Sequence, residues 1–240
     1  MAAQTADLTV DQIVQKHTEA LGGADKLKAI QTVKATGKAS LMGGQLETPV
    51  VMQAKRPTSV RMEMTIQGKS FVQAFDGTTA WTINPYGASP DPQKSGEEDT
   101  KAARDDADFI DGALVEYKAK GNTVELLGKE DADGTQAYKL KVTKKSGTVE
   151  YDYLDAQTFL PLKSTGTRKQ MGQEFDFESR PSNFKPVNGV LMPFSLEQKV
   201  SGKPMMQLTL EKIEANVPMD DSLFRLPDKP KEEKKSPDKP

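Results

Sequence analysis

Apolar and polar side chains alternate with a period of two along most of this chain, which is the pattern of β-strands that bury one face. In the clearest segment, 59–66, polar residues alternate with four apolar ones: Val60, Met62, Met64 and Ile66. Similar segments recur between 32 and 83 and between 123 and 214, with short glycine-containing turns between them. Short turns favour antiparallel pairing, because parallel strands need long crossover connections. The sequence predicts a mainly β chain with about eleven or twelve antiparallel strands.

Short helices accompany the predicted strands. Thr9 and Gln12 have the spacing of a capping box, and apolar residues recur at helical spacing from Val10 until the chain reaches Gly22. Residues 25–30 predict a second, shorter helix. The segment 84–96 predicts a surface loop because it is rich in proline, glycine and serine. The segment 103–114 then predicts a third helix with a thin apolar face, formed by Ala103, Ala107, Ile110 and Leu114.

Composition excludes several classes of function. The chain has 33 basic and 35 acidic residues, so its net charge of −2 gives no reason to expect nucleic-acid binding. The longest apolar runs, such as 191–194, are far shorter than the roughly 20 residues of a transmembrane helix. Cysteine is absent, which excludes disulfides and a lipidated cysteine anchor. We therefore expect a chain with no transmembrane segment and no nucleic-acid partner.

The two ends of the chain differ from the part between them. Residues 1–7 resemble the stub that remains after cleavage at a small-residue signal site, which predicts a secreted protein. Residues 8–227 are predicted to form a single domain. Residues 228–240 are rich in lysine, glutamate and proline, and this composition predicts a disordered tail.

No set of residues predicts catalysis, a metal site or a cofactor. His17 is the only histidine, and neither a positioned serine nor other metal ligands accompany it, so we expect a packed structural histidine. Four aspartates, at positions 105, 106, 108 and 111, lack the glycine turn of a calcium loop and are interpreted as a solvated helix start. An envelope hydrolase is the weakest alternative, and turnover that is lost in His17→Ala would support it.

The predicted sheet has more apolar surface than three short helices can cover. An antiparallel sheet must bury its apolar face, and a large curved sheet leaves room inside. The chain contains ten methionines, whose flexible side chains adapt to irregular apolar guests. A cavity that shields lipid acyl chains is the natural interpretation. Its predicted lining residues are Met52, Val60, Met62, Met64, Ile66, Phe71, Trp81, Ile110 and Leu208.

Two segments resemble the LolA family of periplasmic lipoprotein carriers. They are Lys55-Arg56-Pro57 and the segment Asp76-Gly77-Thr78-Thr79-Ala80-Trp81-Thr82-Ile83-Asn84-Pro85, and the order of helices and strands across 8–227 is similar too. The resemblance implies an open antiparallel half-barrel with helices as a lid. It also implies a monomeric chaperone that holds lipoprotein acyl chains in the periplasm. Envelope membrane proteins would load and unload this cargo on its way to the outer membrane.

The resemblance carries over one residue role. In the family, the arginine of the Lys-Arg-Pro segment helps to hold the lid shut and is tied to cargo transfer, and Arg56 occupies that position here. Arg56→Leu is expected to leave folding intact and to alter cargo release, because an exposed charge contributes little stability. The chain departs from the family in its length, in the loop after Pro85 and in its charged tail. An alternative function is an envelope sensor that uses the same fold to recognise a lipid or a protein partner.

Overall fold

The computed structural model describes residues 8–170 and 173–228. The helices are α1 (Val10–Ala20), α2 (Ala24–Ala29) and α3 (Glu97–Asp106). The first six strands are β1 (Thr32–Leu41), β2 (Leu46–Lys55), β3 (Ser59–Ile66), β4 (Lys69–Phe75), β5 (Ala80–Ile83) and β6 (Gln93–Lys94). The other seven are β7 (Thr123–Ala132), β8 (Thr135–Thr143), β9 (Val149–Asp155), β10 (Pro161–Gln170), β11 (Gln173–Val187), β12 (Val190–Val200) and β13 (Lys203–Ala215).

All 13 strands form one sheet, in the order β6-β5-β4-β3-β2-β1-β13-β12-β11-β10-β9-β8-β7. Every neighbouring pair is antiparallel. The first strand pairs with the last one, while β6 and β7 lie at the two edges, so the sheet does not close on itself. The predicted fold class, an open antiparallel sheet covered by short helices, is confirmed. The predicted loop 84–96 contains the two-residue strand β6.

The sheet has an inner and an outer face. The register places Met52 opposite Met62, and Val50 opposite Met64, which puts the even-numbered residues of β2 and β3 on one face. This is the inner face, because those residues pack together with residues of α2, β1, β12 and β13 in the largest apolar cluster. The period-two alternation therefore reports the buried face correctly in these strands.

The sheet must be curved, because α3 reaches both of its flanks. α3 contacts β4 and β5 on one flank and β10 on the other. In a flat sheet, β4 and β10 would be separated by about 34 Å at the usual strand spacing. A helix of ten residues is only about 15 Å long. The two flanks consequently curl toward each other, and α3 lies across the opening between them.

The first two helices cover one end of the inner face. α1 begins with the predicted capping box, in which Thr9 Oγ1 accepts a hydrogen bond from the Gln12 backbone N–H at 3.3 Å and Gln12 Oε1 accepts one from Thr9 N–H at 2.9 Å. Its apolar face packs on the inner side of β8 and β9. Leu27 of α2 and Ile30 after it join the largest apolar cluster. Together the helices close the end of the sheet at which β1 begins.

The third helix is shorter at its C-terminal end than predicted. It ends at Asp106, and residues 109–121 form a series of turns in which Gly112 and Glu116 have positive φ angles of 67° and 54°. Aspartate has a low helix propensity, so contacts outside the helix easily decide where it ends. Here the side chains of Asp105 and Asp111 bind other elements of the fold. The predicted apolar positions nevertheless all face the interior.

The proposed signal stub and most of the proposed tail, residues 1–7 and 229–240, lie outside the described residues. Among the helices of the described ranges, none is both long and apolar enough to cross a bilayer.

Candidate apolar binding face and its strap

The structure brings together eight of the nine predicted lining residues on the inner face. Met64 and Leu208 are buried members of the largest apolar cluster, and the other six pack against it with part of their surface exposed. These six are Met52, Val60, Met62, Ile66, Phe71 and Ile110. A contiguous apolar surface thus runs across β2, β3, β4 and β13, and part of it is open to solvent.

Trp81 lies on the opposite face of the sheet. It pairs with Ala74 and belongs to a separate apolar cluster with Val72 and Ile83, whereas the adjacent Phe75 packs under α3. The indole Nε1–H donates a hydrogen bond to the backbone carbonyl of Phe224 at 2.7 Å. Trp81 therefore anchors the C-terminal segment to the outer face, and we leave it out of the proposed binding surface.

The segment 97–122, which we call the strap, connects the two edge strands across the inner face. It consists of α3 and the turns that follow it. Ala103 and Ala107 pack against Phe75 and Ala80 near one edge. Farther along, the strap contributes Ile110 and Val115 to the largest cluster and Leu114 to the cluster beneath α1. The strap is thus an apolar cover whose small residues lie over β4 and β5.

Arg56 fastens the middle of the strap. Its guanidinium forms a bidentate ion pair with Asp111, with Nη1–Oδ2 and Nη2–Oδ1 distances of 2.6 and 2.7 Å. It also donates to the carbonyls of Ile30 and Leu27 at 2.7 and 2.9 Å, at the C-terminal end of α2. Hydrogen bonding to Asp111 raises the pKa of Arg56. One side chain therefore joins the end of β2, the end of α2 and the strap.

Asp111 is the functional candidate that the sequence did not reveal. Its side chain is only 8% exposed, against 23% for Arg56, so this ion pair is largely removed from water. The interpretation of the four aspartates as a solvated helix start is wrong for Asp111. It is also wrong for Asp105, which is partly buried; Asp106 is exposed. Spacing within the strap carries no sign of a partner 55 residues away in sequence.

A second group of polar contacts fastens the strap to the other flank. Asp105 accepts hydrogen bonds from Ser146 Oγ at 2.8 Å and Thr148 Oγ1 at 2.6 Å, while Lys144 Nζ donates to the Asp105 backbone carbonyl at 3.0 Å. Lys144 also forms an ion pair of 2.9 Å with the buried carboxylate of Glu150. Polar contacts consequently fasten the strap on both sides of the inner face.

A buried carboxyl pair lies beneath this second attachment. Glu150 and Asp152 both point to the inner side of β9, where they are 5% and 8% exposed. Burial, together with the nearby charge of Glu150, raises the pKa of Asp152 to about 7. Ser164 Oγ–H donates to Asp152 at 2.6 Å. Asp152 therefore takes up a proton near neutral pH, which is unusual for a carboxyl group.

His17 is a packed side chain. It is 5% exposed, and its Nδ1 lies 2.8 Å from the carbonyl oxygen of Phe159. A carbonyl can only accept, so Nδ1 carries the proton. Burial lowers the pKa of His17, which favours the neutral imidazole. Within residues 8–170 and 173–228, no group of three or more histidine, aspartate or glutamate side chains is placed to bind a metal ion.

The strap fits closely at the Arg56 end. A cavity of about 10 Å³ remains between Ala54, Arg56, Ala107 and Ile110. This is about enough for one water molecule. The arrangement seen here is a closed one, and an elongated guest on the inner face would require the strap to move.

Comparison with solved structures identifies the fold. A LolA superfamily protein from Nitrosomonas europaea superposes with a TM-score of 0.59 at 16% identity, covering 91% of this chain and 98% of that one. A DUF1329 family protein from Desulfovibrio piger gives 0.58 at 15% identity, covering 90% and 97%. A domain from Vibrio parahaemolyticus, named for outer membrane lipoprotein sorting, gives 0.57 at 12% identity, covering 90% and 97%.

The sequence itself matches no family model and no curated protein. At these identities the superpositions establish architecture alone. They extend over nearly the full length of each solved chain and over about nine-tenths of this one. The chain has the fold of the LolA superfamily structures, as its Lys-Arg-Pro segment predicted.

Proposed function

We propose that this protein binds the acyl chains of lipids or lipoproteins between the inner face of its sheet and the strap. The observation that supports the proposal most is the partly exposed apolar surface on the inner face, which the strap crosses. Each methylene transferred from water to such a surface contributes about 0.8 kcal/mol. A long acyl chain thus gains on the order of 10 kcal/mol when it is buried on this surface.

Arg56 is proposed to act as the latch of this cover. Removing one partner of an ion pair that is shielded from water costs more than removing one partner of an exposed pair, because a buried charge is left without a partner. Opening the strap breaks the Arg56–Asp111 pair and exposes both groups to water, which solvates them. The latch therefore distinguishes a closed state, in which the ion pair is formed, from an open state, in which water solvates both groups.

Carrier activity is the most specific form of the proposal. A protein that shields acyl chains moves lipids through the water of a cell envelope, and the lipoprotein-sorting domain from Vibrio parahaemolyticus has the same fold. We propose a non-catalytic, monomeric carrier in the periplasm that receives cargo from one membrane protein and delivers it to another toward the outer membrane.

Binding of a fluorescent long-chain fatty acid tests the proposal. The variant Met52→Gln/Met62→Gln places two polar side chains at directly opposed positions of the inner face. We expect its affinity for the probe to fall about tenfold or more, because the bound chain then meets amide groups that lack hydrogen-bond partners.

The matched control is Leu127→Gln, on the edge strand β7, where the native leucine is 50% exposed. It removes an apolar side chain outside the proposed surface and should leave probe affinity unchanged. Wild-type protein that does not bind the probe, or equal losses in both variants, would contradict the proposal.

A further inference from the structure

The end of the sheet opposite Arg56 carries a second feature. In this antiparallel order, the turns β1–β2, β3–β4 and β12–β13 all lie at that end, because Arg56 follows the other end of β2. We call these three turns, with the residues that flank them, the rim. The start of β13 packs against the short 3-10 turn Met42–Gly44 that joins β1 and β2.

Two large apolar side chains of the rim are exposed. Met42 is 67% exposed and Met205 is 54% exposed. Isolated exposed apolar residues are common on protein surfaces, but these two lie on the 3-10 turn and on the start of β13, which pack against each other. Tyr86 is exposed nearby, and its hydroxyl donates a hydrogen bond to the carbonyl of Ile66 at 2.6 Å. The rim therefore presents a group of apolar and aromatic side chains to solvent.

This exposed group is continuous with the inner face. Leu41 pairs with Met206, and both pack against the largest apolar cluster while keeping part of their surface exposed. Each is the immediate neighbour in sequence of an exposed methionine. An apolar path thus leads from the tips of the turns to the surface that we propose for acyl chains.

The three turn segments of the rim carry charge of a single sign. The turn segments 42–45, 67–69 and 201–204 contain two charged residues, Lys69 and Lys203, and no acidic residue. Lys69 Nζ lies 5.4 Å from the centre of the Tyr86 ring. Methionine, tyrosine and lysine together suit the boundary between an anionic headgroup layer and the hydrocarbon beneath it.

We propose that the rim docks on the surface of an anionic lipid bilayer, with Met42 and Met205 inserted at headgroup depth and with Lys69 and Lys203 against lipid phosphates. The inference goes beyond acyl-chain binding, since it assigns a separate surface and a separate partner. It also places the open end of the inner face against the membrane, so that an acyl chain can pass between them without crossing water.

Vesicle flotation of the full chain tests the docking surface. Wild-type protein should float with vesicles of phosphatidylcholine and phosphatidylglycerol. The fraction bound should fall with pure phosphatidylcholine, which carries no net charge, and at high salt, which screens the attraction between lysines and phosphates. In Met42→Gln/Met205→Gln, partition should fall about tenfold or more, since two inserted apolar side chains are lost. The matched control Leu127→Gln should float as the wild type does.

The charged part of the rim is tested separately. Lys69→Gln/Lys203→Gln should weaken partition to anionic vesicles and leave the weaker binding to neutral vesicles unchanged. Lys16→Gln/Lys26→Gln removes the same charge from the helices at the other end and should have little effect. Equal losses in the two lysine variants would overturn the assignment of the rim.

Two further measurements separate this inference from the proposed function. Fatty-acid binding by Met42→Gln/Met205→Gln should equal that of the wild type, so failure of lipid binding would be seen independently of failure of docking. Wild-type protein that does not float with anionic vesicles overturns membrane docking. If sedimentation instead shows a dimer that the methionine variant dissociates, the rim binds a second copy and the proposal is also wrong.

Discussion

Arg56 shows how one side chain connects local sequence to the proposed mechanism. The Lys-Arg-Pro segment predicts its position at a strand end, and the expectation for Arg56→Leu assumed an exposed charge. The structure corrects that assumption, because four hydrogen bonds hold the guanidinium against Asp111 and the end of α2. Replacement of Arg56 consequently affects stability as well as strap opening.

A double-mutant cycle measures the latch. Arg56→Leu leaves the Asp111 carboxylate buried beside only Lys120, whose Nζ is 3.8 Å away, so we expect unfolding free energy to fall by about 2–3 kcal/mol. Adding Asp111→Asn to Arg56→Leu removes the unpaired charge and should restore part of that loss. Urea unfolding followed by the fluorescence of Trp81, the only tryptophan, provides the measurement.

The control for this cycle is the exposed pair Lys38 and Glu47, with a distance of 3.6 Å between the charged atoms and both side chains more than half exposed. The coupling free energy between these two residues should be close to zero, since solvent and salt screen exposed ion pairs. Losses for Arg56 and Asp111 that simply add would show that the two residues do not act as a unit.

Asp152 should make the stability of the protein depend on pH. Its pKa of about 7 in the folded chain lies above the ordinary value of 3.8, so the folded state holds a proton that the unfolded state releases. Stability must then fall as pH rises from about 4 to 7 and level off above that range. Asp152→Asn removes this loss and can still accept the hydrogen bond from Ser164.

Chemical denaturation at pH 5 and pH 8 tests the assignment. The advantage of Asp152→Asn over the wild type should be larger at pH 8, whereas Glu47→Gln, at an exposed position, should show no such change. Parallel pH profiles for the wild type and Asp152→Asn would mean that Asp152 is ionised throughout.

At the scale of elements, alternation predicts strands well where one face is buried and poorly elsewhere. β3 alternates over its whole length, and this pattern predicts both the strand and its buried face correctly. β5 has only four residues, too few to show which side Trp81 occupies. β11 continues to Val187, through Pro181 and Pro186, although proline is disfavoured inside a sheet. Its pairing with β10 stops at Ser179, so these prolines lie where one side of the strand is unpaired.

The seam between the first and last strands depends on a glycine. At Gly37 a Cβ atom would lie 2.2 Å from the backbone oxygen of Thr209 and 2.7 Å from Leu210 Cα, so backbone rather than a flexible side chain would have to move. Gly37→Ala should lower unfolding free energy by about 1–3 kcal/mol or more. Gly96→Ala, which meets nothing within 4 Å, is the matched control and should change stability far less in the same urea titration.

At the scale of the whole molecule, the connection between the two edge strands explains why a sheet that does not close can still enclose a binding surface. The strap crosses the opening that β6 and β7 leave. The period-two pattern predicts the sheet and its apolar face. It does not predict where the strap is fastened. In the sequence, Asp105 and Asp111 look like ordinary surface aspartates, and their hydrogen-bond partners are remote along the chain.

Methyl NMR of the methionines is the most direct test of binding beneath the strap. A fatty acid with a nitroxide at mid-chain should broaden the methyl signals of Met52, Met62 and Met64 on the inner face. It should spare Met219, whose backbone carbonyl accepts a hydrogen bond from Lys55 on the outer side. Broadening of Met219 to the same degree, or of none of these signals at saturating fatty acid, would contradict the account.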